Sequence, residues 1–317
     1  MQVEFKFQPV SFSWVALHPQ PKGVIQFIGG AFFGTFPTIF YRYFLRKLFE
    51  EGYTIVALPF RFSFRHWSIA ASLFAEQNTL RTELTTLAQR YGYQHEIYQN
   101  NSSYSWVGHS LGCKYVALLE FLSGDRWREI VQQCVNAKEA ARIERVIAEI
   151  VPAEKISIKG QPSLLLAPDI SDTESAIPIR AVTQWLEKLK LGVLPTRAQT
   201  QCFIDSSSLF NLTALISFKD DTVAGNLGDK DRSPEVQKNS DVLWFFQQLQ
   251  KRPVPLLCQE LPGKHLEPVG VQVGAYVVDL NPLDKFIEPI AQRWLERVAI
   301  EFLSQLRQRE QDLSSSR

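Results

Sequence analysis

Apolar residues along this chain follow two alternating rhythms. Short, almost wholly apolar runs recur: Gly23–Ile28 (GVIQFI), Thr54–Leu58 (TIVAL), Tyr104–His109 (YSWVGH), Ser163–Pro168 (SLLLAP) and Leu212–Phe218 (LTALISF). Runs of this length and composition read as strands buried on both faces. Between them lie longer stretches with helical spacing: Thr38–Glu51, His66–Tyr91, Leu111 to about Ser123, Arg180–Lys190 and Asp241–Gln250. A last helix is expected from about Pro282 to Arg309. Gly52 and Gly124 supply helix stops. Two N-terminal strands, Val3–Phe7 and Phe12–Leu17, flank Pro9, and Val254–Leu261 (VPLLCQEL) adds a final one. Alternation of this kind predicts an α/β fold, with a mostly parallel central sheet covered by helices on both faces.

One stretch interrupts the alternation. Residues 125–160 are charged and helical, with Ile143, Val146, Ile147, Ile150 and Val151 forming a single apolar stripe. The expectation is one domain over residues 1–317 carrying this segment as a helical insertion, either a lid or a surface decoration.

Composition narrows the possibilities. The chain has 317 residues, 45% hydrophobic and 21% charged, so it can bury a large core without metals or disulfides. A net charge of +1 gives no global field for nucleic acid. Cys113, Cys134, Cys202 and Cys258 lie far apart with no CxxC or metal-ligand spacing, and are expected to be buried thiols in a reducing compartment. The N-terminus has no signal-peptide or transit character, and no apolar run is long enough to span a bilayer. A cytoplasmic protein without transmembrane segments is expected, with peripheral membrane contact left open. No metal or cofactor is called for.

Chemistry concentrates where the Tyr104–His109 strand meets the next helix. The junction reads Gly108-His109-Ser110-Leu111-Gly112. Gly-x-Ser-x-Gly by itself is a weak signal; its position at a strand-to-helix turn makes it stronger. A serine there takes a strained conformation that lifts its Oγ above the sheet edge, and only minimal side chains fit two residues either side. The competing reading is a serine that merely caps the helix. A P-loop is excluded by spacing.

A nucleophilic serine needs a base and an orienting acid, which in this turn type follow in the order Ser, acid, His. Of the five histidines only His265, in ELPGKHLEPVG, follows Ser110 at any distance; His109 adjoins the serine but points elsewhere at such a turn. For the acid, ISFKDDTVAGN lies after a buried strand. Asp220 is the choice, with Asp221 and Asp169 as alternatives. An oxyanion hole is expected from the Leu111 amide and from Ala31, with Phe32 as the alternative, in IGGAFFG, the loop after GVIQFI. Aromatic residues crowd the neighbouring loops: Phe32, Phe33, Phe36, Phe40 and Tyr41, then Phe60, Phe62, Phe64 and Trp67. They line either a lipophilic acyl pocket or ordinary core.

Together these pieces resemble the α/β-hydrolase fold. The segment FIGGAFFGTFPTIFYRYFLRKLFEEGYTIVALPFRFSFRHWSIA, with WVGHSLGCK, resembles a family of α/β-hydrolase-like proteins of cyanobacteria and plastids labelled a domain of unknown function. The likeness is sharpest over residues 24–120. Relatives read Phe-Asp-His where this chain has Phe64-Arg65-His66. The resemblance implies a serine hydrolase acting on an ester or thioester, without naming its substrate. An acyltransferase of the same fold, or a non-catalytic ligand-binding or interaction protein, are the alternatives.

Overall fold

The computed structural model describes residues 3–152, 156–171, 194–279 and 287–315. The strands of its main sheet, in chain order, are β1 (Gln8–Val10), β2 (Ser13–Ala16), β3 (Gly23–Ile28), β4 (Tyr53–Ala57), β5 (Tyr104–His109), β6 (Ser163–Leu166), β7 (Thr213–Phe218) and β8 (Leu257–Leu261). They form one eight-stranded sheet in the order β1-β2-β4-β3-β5-β6-β7-β8. The β1–β2 hairpin joins antiparallel to β4, and every pairing from β4 through β8 is parallel. Every residue of β3, β4, β5, β6 and β7 is buried, which is why these strands read as unbroken apolar runs.

Side chains leave each strand alternately to the two faces. Ile25, Phe27, Ile55, Ala57, Val107, Leu164, Leu166 and Ile216 enter one apolar layer, while Val24, Ile28, Val56, Trp106, Leu165 and Leu215 enter the other. Among the described residues the helices are α1 (Pro37–Phe40), α2 (Arg42–Glu50), α3 (His66–Tyr91), α4 (Leu111–Leu122), α5 (Trp127–Cys134), α6 (Ala137–Ile150), α7 (Arg197–Asp205), α8 (Pro234–Asn239), α9 (Asp241–Leu249) and α10 (Leu295–Ser315). The first layer packs under α2 and α10, the second under α3, α4, α5, α6 and α7. No described helix is long and apolar enough to cross a membrane.

Three expectations need correction. The first strand is Gln8–Val10, containing Pro9, rather than Val3–Phe7. Proline lacks a donor for the ladder, and β1 is the outermost strand, where one side needs none. The C-terminal helix starts at Leu295; Ile287–Pro289 instead forms β11, which pairs with β10 (Tyr276–Val278), itself paired with β9 (Val271–Val273) in a separate three-stranded sheet. The helix expected over Arg180–Lys190 lies outside the described residues. Finally, the four cysteines are not all thiols. Packing of α5 against α7 brings Cys134 and Cys202 to a Cα separation of 5.8 Å and they form a disulfide, leaving Cys113 and Cys258 free.

Candidate active site

Ser110 occupies the single residue between β5 and α4, with φ 53° and ψ −125°. Positive φ is unfavourable for a residue with a Cβ and persists only where neighbours enforce it. Here the Ser110 amide donates to the Leu166 carbonyl (3.0 Å), and the Ser110 carbonyl accepts from Cys113 (2.9 Å) and Asp169 (3.3 Å). The two motif glycines make room for this turn. A Cβ on Gly112 would sit 2.1 Å from the Ile28 carbonyl oxygen, and one on Gly108 would sit 2.9 Å from the Cys113 backbone. The β3 loop closes in from the other side: a Cβ on Gly30 would lie 3.1 Å from the Ser110 Cβ. The Ser110 side chain makes no capping bond to α4, so the simple-cap reading does not describe its position.

Its Oγ instead faces His265. The Oγ–Nε2 distance is 2.8 Å, and His265 Nδ1 lies 2.8 Å from Asp221 Oδ2. A carboxylate only accepts, so Nδ1–H donates to Asp221 and the free Nε2 accepts the serine hydroxyl proton. The Asp221 side chain is fully buried; its other oxygen accepts the amides of Val223 (2.8 Å) and Ala224 (3.0 Å). Burial alone would lower the His265 pKa, but the hydrogen bond and charge of Asp221, with the charge of Asp169 adding, raise it.

Asp220, the expected acid, is not the residue that meets His265. The Asp221 amide donates to the Phe218 carbonyl (3.1 Å), closing a tight turn whose corner residues, Lys219 and Asp220, face solvent. The Asp220 amide is tied to the Gly263 carbonyl (3.0 Å), which braces the β7 loop against the loop bearing His265. The chain reverses at that corner, so the next residue, Asp221, comes back over the sheet edge. Asp169, the other alternative, is buried nearby and accepts the Ser171 amide (2.8 Å) and hydroxyl.

Leu111 is the first residue of α4, and Ala31 follows Gly30 in the loop against Ser110. Among the described residues neither backbone amide finds an acceptor. The aromatic residues divide. Tyr41, Phe60 and Trp67 are core. Phe33 and Phe40 pack edge to face, partly buried against the core. Phe32 and Phe36 are more than half exposed, Phe32 lies over Phe62 at 4.6 Å between ring centres, and Phe62 contacts Phe64.

Comparison with solved structures finds the same architecture. Esterase B from Lactobacillus rhamnosis, in a C6-C4 SN3 inhibited form, is similar with a TM-score of 0.53 and 14% identity, over 96% of this chain and 84% of that one. The carboxylesterase Cest-2923 from Lactobacillus plantarum matches at 0.44 and 12%, covering 83% of each chain. An alpha/beta hydrolase enzyme from a Medee basin deep-sea metagenome library matches at 0.46 and 13%, covering 95% of each. At such identities the likeness is one of fold, and the chain has the α/β-hydrolase fold. A search of curated proteins found no match. A family model described as "Protein of unknown function (DUF1350)" matches residues 6–309. Spanning the whole eight-stranded sheet and every residue of the site, that match makes the chain a member of the DUF1350 family.

Proposed function

We propose that this protein is a serine hydrolase of carboxylic esters or thioesters, working through Ser110, His265 and Asp221. The observation that carries the reading is the unbroken hydrogen-bonded chain from the Ser110 hydroxyl to the buried Asp221 carboxylate, both links at 2.8 Å, starting from a strained turn. In this reading His265 Nε2 takes the hydroxyl proton as Oγ attacks the acyl carbon, and Asp221 stabilises the imidazolium. The amides of Leu111 and Ala31 receive the oxyanion, each worth about 3 kcal/mol of transition-state stabilisation. His265 then returns its proton to the leaving alcohol or thiol. Water attacks the acyl-enzyme with His265 as base, and release of the acid regenerates Ser110.

Phe32 and Phe36, exposed residues that follow Ala31 in the chain, favour a substrate with an apolar acyl group. The whole chain is read as one hydrolase domain, with residues 125–160 as its helical insertion; the Cys134–Cys202 link anchors the end of α5 to α7. Ser110→Ala tests the reading. It should abolish labelling by a fluorophosphonate probe and turnover of p-nitrophenyl esters, with wild-type activity rising from acetyl to medium-chain esters. Undiminished labelling of Ser110→Ala, or no turnover of any ester by folded wild type, would refute it.

A further inference from the structure

His109 precedes Ser110 and is fully buried. Its two ring nitrogens each meet one partner. Nδ1 lies 2.8 Å from the Tyr41 hydroxyl, and Nε2 lies 2.8 Å from the backbone carbonyl oxygen of His265. The same Tyr41 hydroxyl accepts the Gly30 amide at 2.7 Å. The chain therefore runs Gly30 N–H, Tyr41 O–H, His109, His265 C=O. It joins the loop beside Ser110 to the loop that carries the base.

Its ends fix every proton in it. A backbone amide can only donate and a carbonyl only accept. Tyr41 must accept from Gly30 and give its own proton to His109 Nδ1, so the His109 proton sits on Nε2 and goes to the His265 carbonyl. Charge states agree with this order. Burial, with the neighbouring His265 charge adding, holds His109 neutral by lowering its pKa to about 3, while burial keeps the Tyr41 hydroxyl protonated.

We propose that Tyr41 and His109 are positioning residues that hold the oxyanion loop and the general base in register with Ser110; this rests on the hydrolase reading above. At one end, Tyr41 fixes the peptide plane between Gly29 and Gly30. The next plane, which carries the Ala31 amide, is held by the Gly34 amide donating to the Gly30 carbonyl (2.6 Å). Peptide planarity then sets the direction of the Ala31 N–H. At the other end, His265 is held at three points: its carbonyl by His109, Nδ1 by Asp221 and Nε2 by Ser110. Neither Tyr41 nor His109 needs to touch substrate for its loss to slow acylation.

Tyr41→Phe keeps the ring in the core and removes only the hydroxyl. The fluorophosphonate labelling rate and kcat for a short p-nitrophenyl ester should fall about tenfold or more, since small misplacements of reacting groups are costly. KM should stay within about twofold, because ground-state binding is untouched. A second measurement needs no variant to retain activity. In protein labelled with 15N-histidine, the His109 signal, assigned by its loss in His109→Gln, should report a neutral ring protonated at Nε2. It should not titrate between about pH 5 and 8, whereas an ordinary histidine would. Wild-type labelling by folded Tyr41→Phe would overturn the proposal, as would a His109 ring protonated at Nδ1 or charged at neutral pH. Failure of the hydrolase reading is seen separately, as labelling that survives Ser110→Ala.

Discussion

Asp220 and Asp221 are adjacent carboxylates with opposite surroundings, and replacing each by asparagine gives a sharp test of the site. In Asp221→Asn the side-chain oxygen that accepts Val223 and Ala224 must remain an oxygen, because both partners are N–H donors at 2.8 and 3.0 Å. The new amide nitrogen is thereby turned toward His265 Nδ1, the position that Oδ2 holds at 2.8 Å. An N–H in that position forces Nδ1 to accept, which moves the ring proton to Nε2 and aims it at the Ser110 Oγ. A base already protonated on that nitrogen cannot take the serine proton. The same tautomer reversal in a serine protease lowers kcat by roughly 10⁴-fold. Four powers of ten correspond to about 5.4 kcal/mol of activation free energy. Asp220→Asn alters only an exposed side chain and leaves the Asp220 amide on the Gly263 carbonyl, so activity should change by less than about twofold. Initial rates with a p-nitrophenyl ester measure both, with thermal melts to confirm that each variant is folded. Equal losses, or a greater loss at Asp220, would refute the assignment of Asp221.

Two further outcomes follow from the same geometry. His265 must be neutral to act as base, and its pKa is raised from the ordinary 6.5 because Asp221 and Asp169 outweigh burial. Activity should therefore fall with decreasing pH through a midpoint above 6.5, and the ion pair's stabilisation should be complete below 6.5 and lost as pH rises through that midpoint. A kcat/KM profile with its acid limb at or below 6.5 would contradict this. Gly112→Ala places a Cβ 2.1 Å from one backbone carbonyl oxygen and 2.7 Å from the next, those of Ile28 and Gly29. Backbone must move to admit it, so a loss of more than about 3 kcal/mol in denaturant unfolding is expected, and wild-type stability would show that β3 and α4 are not in such close approach.

What the chain discloses about itself depends on the range of the forces involved. The buried parallel strands were legible because burial on both faces demands continuous apolar runs, a local requirement. Ser110 was legible for a similar reason, since the crowding at a strand-to-helix turn is written into residues 108 and 112. His265 could be reached by chain order. Asp221 could not be separated from Asp220, because the choice rests on which residue falls at the corner of the Phe218–Asp221 turn and which comes after it. The Cys134–Cys202 pair gave no signal either, with a sequence separation of 68 and only the docking of α5 on α7 to unite them. Residues 287–289 form a strand in place of the expected helix because they pair antiparallel with Tyr276–Val278, a partner the local pattern does not reveal.

Tyr41 shows most plainly where local pattern gives out. Among the aromatic residues after β3 it reads as either pocket lining or core, and by burial it belongs to the core, packed on Phe27. What sets it apart is a single oxygen whose partners are 11 and 68 residues away in sequence. A buried hydroxyl without partners would oppose folding, so its presence in the core requires that both be supplied. Here they come from the loop facing Ser110 and from the residue just before it. A phenylalanine would satisfy the packing equally well and leave the Gly30 amide and His109 Nδ1 buried without their bonds. The hydroxyl's place is therefore determined by those two groups rather than by the apolar layer around it, which is why hydrophobic periodicity could locate the residue but not its role.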